Sequence, residues 1–121
     1  MKAIVVDDSR AMRTILRGHL KSAGFEVSEA GDGRQALEEL KKSGSLDLAL
    51  VDWNMPVMNG YDLICELRAQ NIYDGMSIMM VTTESEMGQM QRALGAGANE
   101  YVMKPFTVEM LREKLQLLGL S

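Results

Sequence analysis

The strongest constraint on the fold is a short apolar run that ends abruptly in an acid. Leu48 to Val51 has the composition of a buried strand, and Asp52 follows it directly. A strand in a parallel sheet is covered on both faces, so it reads as a continuous apolar run, and a charge at its end marks the border with solvent. Open α/β sheets bind their ligands at that border. Asp52 is therefore expected at the edge of the sheet that carries the chemistry.

The same strand-like pattern recurs along the chain and alternates with helical spacing. Strands are predicted at residues 3–6, 25–30, 46–51, 77–81 and 101–103. A helical pattern follows each strand, and the connections are too short for anything but local crossovers. This alternation predicts an α/β fold of the (βα)₅ type, in which right-handed crossovers build one parallel five-stranded sheet.

Capping residues and apolar spacing define the helices. Ser9 and Asp32 are predicted N-caps, and Gln35 would complete a capping box with Asp32. The fourth helix is predicted from about Glu84 to Leu94. Apolar residues recur at helical spacing in the first and last helices: Met12, Ile15, Leu16 and Leu20 in the first, and Met110, Leu111, Leu115 and Leu118 in the last.

Length and charge narrow the classes of protein. With 121 residues, the chain is expected to form one domain, residues 1–121. A net charge of -4 and a pI near 5.0 argue against nucleic acid as a partner. No apolar run reaches the roughly 18 residues that a membrane span needs, and the N-terminus lacks a signal-peptide pattern. A cytoplasmic location without a membrane partner is therefore expected.

The chain has too few cysteines and histidines for a catalytic site that depends on them. Cys65 is the only cysteine and His19 the only histidine, so an internal disulfide is impossible. Arrangements of the Ser/His/Asp or Cys/His type need partners that are missing here. Both residues are expected to be packed or solvated.

Five polar residues are expected together at the carboxyl edge of the sheet, because each lies at or just beyond the end of a strand: Asp7, Asp8, Asp52, Thr82 and Lys104. If the first and third strands are neighbours, as in a 2-1-3-4-5 order, three carboxylates lie within several ångströms of one another. At about 5 Å and an effective dielectric near 20, each like-charge pair costs on the order of 3 kcal/mol. A bound cation would relieve this repulsion.

The ligand types favour magnesium and phosphoryl chemistry. Two or three carboxylates and a loop carbonyl suit Mg²⁺, which keeps several waters and accepts a phosphate oxygen. Calcium fits less well, because Pro56 and Val57 stand where an EF-hand loop needs a ligand and a glycine. A carboxylate beside a divalent cation and a lysine is a credible nucleophile toward phosphorus, giving an aspartyl phosphate.

Four motifs, in order and spread over the chain, resemble those of a known family. They are IVVDD at 4–8, VDWNMPVMNG at 51–60, MMVT at 79–82 and GANEYVMKPF at 97–106. With these motifs the sequence is similar to the receiver domains of two-component response regulators, especially the stand-alone chemotaxis members. The resemblance implies a flavodoxin-like, doubly wound sheet of order 2-1-3-4-5.

The resemblance also implies a role for each site residue. Asp52 would accept a phosphoryl group from a phosphohistidine of a sensor histidine kinase. Asp8, Asp52 and the main-chain carbonyl of Asn54 would bind Mg²⁺ directly, and Asp7 would act through water. Such a protein is a phosphoacceptor that assists its own phosphotransfer and dephosphorylation, and it is not an enzyme with a separate substrate.

The expected switch links the phosphate to a protein-binding face. Lys104 would pair with phosphoryl oxygens, Thr82 would donate a hydrogen bond to one, and Tyr101 would turn inward as Thr82 moves. The Lys104-Pro105 bond would be cis. The face read out would be helix four, strand five and helix five, residues 84–118. Four methionines lie in this part of the chain, and their adaptable side chains suit a partner surface, although ordinary core packing is expected for most of them: Met87, Met90, Met103 and Met110.

One departure from the family is Thr83, where Ala, Gly or Ser is usual. A larger side chain at the pocket mouth is expected to slow the access of small phosphodonors or water. Asn54 and Glu84 flank the same path, so these three residues are expected to modulate the lifetime of the phosphate.

The implied partners are the sensor kinase, a downstream target such as a flagellar motor switch component, and a phosphatase, with the protein itself a monomer. One alternative is a phosphorylation-independent pseudo-receiver, although the acid set that such modules usually lose is intact. A second is a single-domain regulator of a pathway other than chemotaxis. A third is a small hydrolase or a flavodoxin-like carrier, and the acidic turn at Asp7-Asp8 argues against a carrier of flavin phosphate.

Overall fold

The strands and helices alternate along the whole of the computed structural model, which describes residues 1–120. The elements are β1 (Lys2–Val6), α1 (Arg10–Ser22), β2 (Glu26–Ala30), α2 (Gly33–Ser43), β3 (Leu48–Asp52), α3 (Gly60–Arg68), β4 (Ser77–Thr82), α4 (Met90–Ala96), β5 (Glu100–Met103) and α5 (Val108–Leu117). Two 3₁₀ helices, Asn71–Tyr73 and Glu84–Gln89, lie in the connections. The predicted (βα)₅ fold is confirmed.

The five strands form one parallel sheet in the order β2-β1-β3-β4-β5. In its register Val6 pairs with Val51, so β1 and β3 end side by side. Asp52 is the last residue of β3 and Thr82 the last of β4, so each strand extends one residue further than predicted. The chain direction therefore brings the ends of β1, β3 and β4 to one edge.

Two apolar clusters, one on each face of the sheet, hold the helices in place. Alternate residues of the central strands point to opposite faces. On one face, Ala49 and Val51 of β3 belong to a cluster with Leu40 of α2, Leu63 of α3 and Ala93 of α4. On the other face, the cluster is made chiefly by β1, β3, β4, α1 and α5, with buried residues that include Val5, Leu50, Val81, Leu16, Leu20, Leu111 and Leu115. The sheet is thus doubly wound.

Two helix starts differ from the prediction. The Asp32 side chain accepts from Gln35 N–H as expected, but Gln35 Oε1 accepts from Gly31 N–H and not from Asp32, so the predicted capping box is wrong by one residue. The helix predicted from about Glu84 to Leu94 is a 3₁₀ helix followed by α4. The first turn of the 3₁₀ helix is closed by a capping box between Thr83 and Glu86. Gly88 lowers the α-helix propensity of the same segment, which favours the short 3₁₀ form.

Two of the apolar residues that recur at helical spacing in the first and last helices are exposed. Ile15 is 50% exposed and Met110 is 39% exposed. The buried side of each helix is formed by a pair of leucines four residues apart, Leu16 with Leu20 in α1 and Leu111 with Leu115 in α5. Ile15 and Met110 each precede such a pair by one residue, which turns them about 100° around the helix from the first leucine. Within residues 1–120, no helix combines the length and the apolar character needed to cross a bilayer.

Candidate active site

Three aspartates meet where β1 and β3 end. Asp7 and Asp8 follow β1 directly, and Asp52 closes β3, the neighbouring strand. One carboxylate oxygen from each lies within 4.8 Å of the others. Asp7 and Asp52 are buried, whereas Asp8 is exposed. The predicted gathering of acids at this edge is therefore present in the fold.

Lys104 is the cation that faces the two buried acids. Its Nζ lies 3.3 Å from Asp52 Oδ1 and 3.7 Å from Asp7 Oδ2. Asp7 Oδ1 accepts from Ser9 N–H at 2.8 Å, but Asp7 Oδ2 is buried without a hydrogen-bond partner. One ammonium thus serves two carboxylates, and the cluster retains an excess of negative charge.

The electrostatics of the cluster reflect that excess. Burial, followed by the charge of Asp7, raises the pKa of Asp52 to about 6, and Lys104 offsets only part of this effect; Glu86 adds a smaller upward contribution. Burial also raises the pKa of Asp7, against the hydrogen bond from Ser9 and the charge of Lys104. A positive charge added to the cluster would favour both ionised carboxylates.

The donor set fits a hard divalent cation. The candidate side-chain ligands are all carboxylate oxygens, and Asp7 Oδ2, which has no hydrogen-bond partner, is a buried acceptor of the kind that a hydrated ion satisfies. Asn54 lies two residues beyond Asp52 with an exposed side chain, and ligation by its main-chain carbonyl stays a prediction.

The loop between β3 and α3 folds back on the strand end. Gly60 N–H donates to the Trp53 carbonyl at 3.0 Å, and a Cβ at Gly60 would lie only 2.5 Å from the Asp52 carbonyl oxygen. Because no side chain fits there, glycine is required for this close return. The tip is a γ-turn in which Met58 N–H donates to the Pro56 carbonyl at 2.7 Å and Val57 adopts a φ of 66°.

Thr82 and the residues after it form a hydrogen-bonded chain at the end of β4. The fully buried Thr82 donates its hydroxyl proton to the Thr83 carbonyl at 3.3 Å. Lys104 N–H donates to the Thr82 carbonyl at 2.6 Å, which joins this strand end to the lysine. Thr83 is partly exposed and Glu84 is exposed. Two of the three proposed modulators, Thr83 and Glu84, therefore lie on the segment that follows the buried hydroxyl, whereas Asn54 lies in the loop after β3.

Tyr101 lies on β5, three residues before Lys104. Its side chain is partly buried, packs against the cluster that contains Trp53 and Met90, and has Lys114 Nζ 4.8 Å from its ring centroid. The Lys104-Pro105 peptide bond is cis, as the resemblance implied. Of the four methionines expected on the output face, Met90 is buried, Met87 is partly buried, and Met103 and Met110 are exposed.

The structure adds two residues that the sequence reasoning missed. Arg13 Nη1 donates to the Asp7 carbonyl at 2.7 Å, and its Nε lies 3.2 Å from Glu29 Oε1, so it supports the acidic turn from α1. Glu86 accepts from Thr83 N–H at 3.1 Å. The spacing Thr83-x-x-Glu86 is a capping-box pattern and could have identified Glu86 from the sequence.

An apolar groove of about 490 Å³ opens next to the lysine. Its lining is shared by α1, the residue after Thr82 and the segment after β5: Met12, Ile15, His19, Thr83, Lys104, Pro105 and Phe106. The exposed Ile15 and the only histidine thus lie on a surface that leads to the acid cluster.

Comparisons with known proteins agree on one family. The family model for the response regulator receiver domain matches residues 3–116. Chemotaxis protein CheY1 of Helicobacter pylori strain J99 is 44% identical over 118 residues, which cover 97% of this chain and 95% of the relative. Chemotaxis protein CheY of Pseudomonas aeruginosa is 43% identical over 117 residues, with 96% and 94% covered. The solved structure of the chemotaxis response regulator CheY4 of Vibrio cholerae superposes with a TM-score of 0.88 at 38% identity, covering 97% of each chain.

Proposed function

The chain belongs to the response regulator receiver domain family, and we propose that it is a stand-alone, single-domain regulator that accepts a phosphoryl group on Asp52. The observation that carries the proposal is the buried Asp52 carboxylate, which lies at a strand end between two other acids and a lysine. The relatives named chemotaxis proteins support a chemotaxis-type pathway, and a cytoplasmic location fits that role.

The acids of the cluster would hold Mg²⁺. Asp8, Asp52 and the Asn54 carbonyl are the proposed direct ligands, and Asp7 would act through water. When bound, the ion supplies neutralisation of the phosphoryl oxygens and of the acids around them. Asp7 Oδ2 is buried without a hydrogen-bond partner, which supports this assignment because a metal-bound water would donate a hydrogen bond to it.

In the transfer step, an ionised Asp52 oxygen attacks the phosphorus of a phosphohistidine. The new O–P bond forms as the N–P bond breaks, and the histidine nitrogen keeps the bonding electron pair. Lys104 Nζ, 3.3 Å from Asp52 Oδ1, would pair with the phosphoryl oxygens. Catalysis is then mainly positioning and charge neutralisation, as is general for phosphoryl transfer.

The response would pass from Thr82 to the protein-binding face. A phosphoryl oxygen is a strong acceptor and would draw the Thr82 hydroxyl from the Thr83 carbonyl. Tyr101, which is only partly buried, would turn inward as this happens. The shift changes the face formed by α4, β5 and α5, and so changes the affinity for a downstream target such as a flagellar motor switch component.

The surroundings of Asp52 would set the rates of phosphorylation and dephosphorylation. Thr83 lines the groove beside Lys104, where a sensor histidine kinase would bring its phosphohistidine. Asn54 is exposed just after β3 and Glu84 just after β4, and both would modulate the attack of water on the phosphoryl group of Asp52. A phosphatase could act at the same opening, and the protein is proposed to work as a monomer.

Mass spectrometry tests the function directly. With Mg²⁺ and acetyl phosphate or a phosphorylated sensor kinase, the wild type should gain about 80 daltons, the mass of one phosphoryl group. Asp52→Asn should gain nothing, whereas Asp74→Asn, which changes an exposed acid, should behave as wild type. Absence of the adduct from the wild type would overturn the proposal and leave a phosphorylation-independent binding module.

A further inference from the structure

The turn after β4 is closed by Glu86, an acid to which the transfer step assigns no role. Thr83 N–H donates to Glu86 Oε1 at 3.1 Å, and Glu86 N–H donates back to the Thr83 carbonyl at 3.0 Å. The Thr83 hydroxyl also lies 3.0 Å from Ser85 Oγ. These bonds fix residues 83–86 as the first turn of the 3₁₀ helix that leads to α4.

This turn shares an acceptor with Thr82. The Thr83 carbonyl accepts both the Thr82 hydroxyl, at 3.3 Å, and Glu86 N–H. A phosphoryl group that recruits the Thr82 hydroxyl must therefore take it from an atom that belongs to the closed turn. The position of the buried hydroxyl and the state of the turn are coupled through one carbonyl.

Charge is the second part of the coupling. Glu86 is partly buried, and in the part of the chain that the structure describes no lysine or arginine forms an ion pair with it. It is also one of the negative charges that act on Asp52. Phosphorylation replaces the singly charged Asp52 carboxylate by an acyl phosphate that carries a charge of about -2. With Mg²⁺ bound before and after the step, the site becomes more negative, and the repulsion on the Glu86 carboxylate increases.

We propose that Glu86 is a charge-sensitive latch, which holds the 83–86 turn closed in the unphosphorylated protein and is repelled when Asp52 carries a phosphoryl group. The inference rests on the proposed phosphoacceptor function. Glu86 is a positioning residue, because it acts through Thr83 and Thr82 and does not itself contact the phosphoryl group. Release of its bond to Thr83 N–H converts charge at Asp52 into movement of residues 84–89.

Two variants separate the charge from the hydrogen bond. Glu86→Gln keeps an oxygen that can cap Thr83 N–H and removes the charge, whereas Glu86→Ala removes both. Glu38→Gln is the matched control, since it removes one negative charge from an exposed position on α2. The probe is beryllofluoride, a negatively charged phosphoryl mimic, titrated at a saturating concentration of Mg²⁺ so that the metal is bound before the mimic is added. Trp53 fluorescence gives its affinity, and amide hydrogen exchange reports the opening of residues 83–89.

Glu86→Gln should bind the mimic about three- to tenfold more tightly than wild type at low ionic strength, and high salt should reduce this gain. Exchange at residues 83–89 should rise on binding in the wild type, rise less in Glu86→Gln, and be high in Glu86→Ala before the mimic is added. Glu38→Gln should match the wild type throughout.

The latch is wrong if Glu86→Gln binds no more tightly than wild type, or if exchange rises equally in both proteins. A wild type that binds no beryllofluoride with Mg²⁺ would instead overturn the phosphoacceptor function, and the latch with it. The two failures are therefore distinguishable in one set of titrations.

Discussion

Val57 alone among the non-glycine residues of the range 1–120 has a positive φ. A β-branched side chain at a φ of 66° is strained, and Val57 is 78% exposed, so little packing offsets the strain. The γ-turn that it forms keeps the loop folded over the end of β3. The loop beside Asp52 is thus held in shape at a local cost in stability.

Val57→Gly should relieve that cost. We expect the free energy of unfolding to rise by about 1 kcal/mol, since the strain removed exceeds the added entropy of a glycine in the unfolded chain. Urea denaturation measures the change. Val108→Gly, at the first residue of α5, should lower stability instead. A similar loss in both variants would show that Val57 is not strained.

Asp52 contributes a pH dependence whose sign follows from its raised pKa. The value of about 6 lies above the ordinary 3.8, so the folded protein holds a proton that the unfolded chain releases between these limits. Ionisation of Asp52 therefore opposes folding: the penalty is absent below about pH 4, grows up to about pH 6, and is constant above it.

Removal of this charge should stabilise the metal-free protein. In the presence of a chelator at pH 8, Asp52→Asn should raise the free energy of unfolding by roughly 2 to 3 kcal/mol, the equivalent of about two pKa units. The gain should vanish near pH 4. Urea unfolding at a series of pH values checks this, with Asp74→Asn as a control. A gain that does not change with pH would contradict the assigned cause.

At the scale of elements, Arg68 ties α3 to the segments before β4 and β5. Its guanidinium donates to the carbonyls of Tyr73 at 2.7 Å, Met76 at 2.8 Å and Gly97 at 3.0 Å, and to Asn99 Oδ1 at 2.9 Å. Asn99 Oδ1 also accepts from Ile78 N–H, at the start of β4. Since β5 carries Tyr101 and leads into Lys104, this network positions the start of the strand that carries the proposed switch residue Tyr101.

Arg68→Lys should show that the planar, multiple-donor group matters more than the charge. One ammonium cannot reach the four acceptors, so the free energy of unfolding should fall by about 2 to 4 kcal/mol. Amide exchange should increase first around residues 97–103. Arg112→Lys, on the exposed side of α5, is the control and should change stability little. Equal stability of the two variants would show that the Arg68 hydrogen bonds do not contribute to stability as expected.

At the scale of the whole molecule, the sequence predicted the residues of the site better than the hydrogen bonds that support them. Asp7, Asp52 and Lys104 were predictable because parallel strands end at one edge, whatever the details of the loops. The order of the strands came from the family resemblance, since strand composition carries no neighbour information. Arg13 and Arg68 were missed because they donate to main-chain carbonyls, and no side-chain pattern in the sequence shows which carbonyls the fold brings near. Glu86 was also missed, although its capping-box spacing from Thr83 could have identified it.

The acid cluster should make global stability depend on Mg²⁺. The acids proposed as ligands come from the ends of β1 and β3, so an ion bound there would stabilise only the folded chain. At a free concentration 100 times the dissociation constant, the gain is about 2.7 kcal/mol. The gain should shrink as the pH falls through about 6, because protons compete for Asp52.

Thermal unfolding with Mg²⁺ or with a chelator, from pH 5 to pH 8, measures this linkage. Asp8→Asn should stay folded, because Asp8 is exposed, and should lose most of the response to Mg²⁺, whereas Asp74→Asn should keep it. If Asp8→Asn responds as fully as the wild type, the ion is not held by the ends of β1 and β3. If the response to Mg²⁺ is the same at pH 5 and pH 8, Asp52 is not a ligand, because protons would otherwise compete with Mg²⁺ for its carboxylate at pH 5.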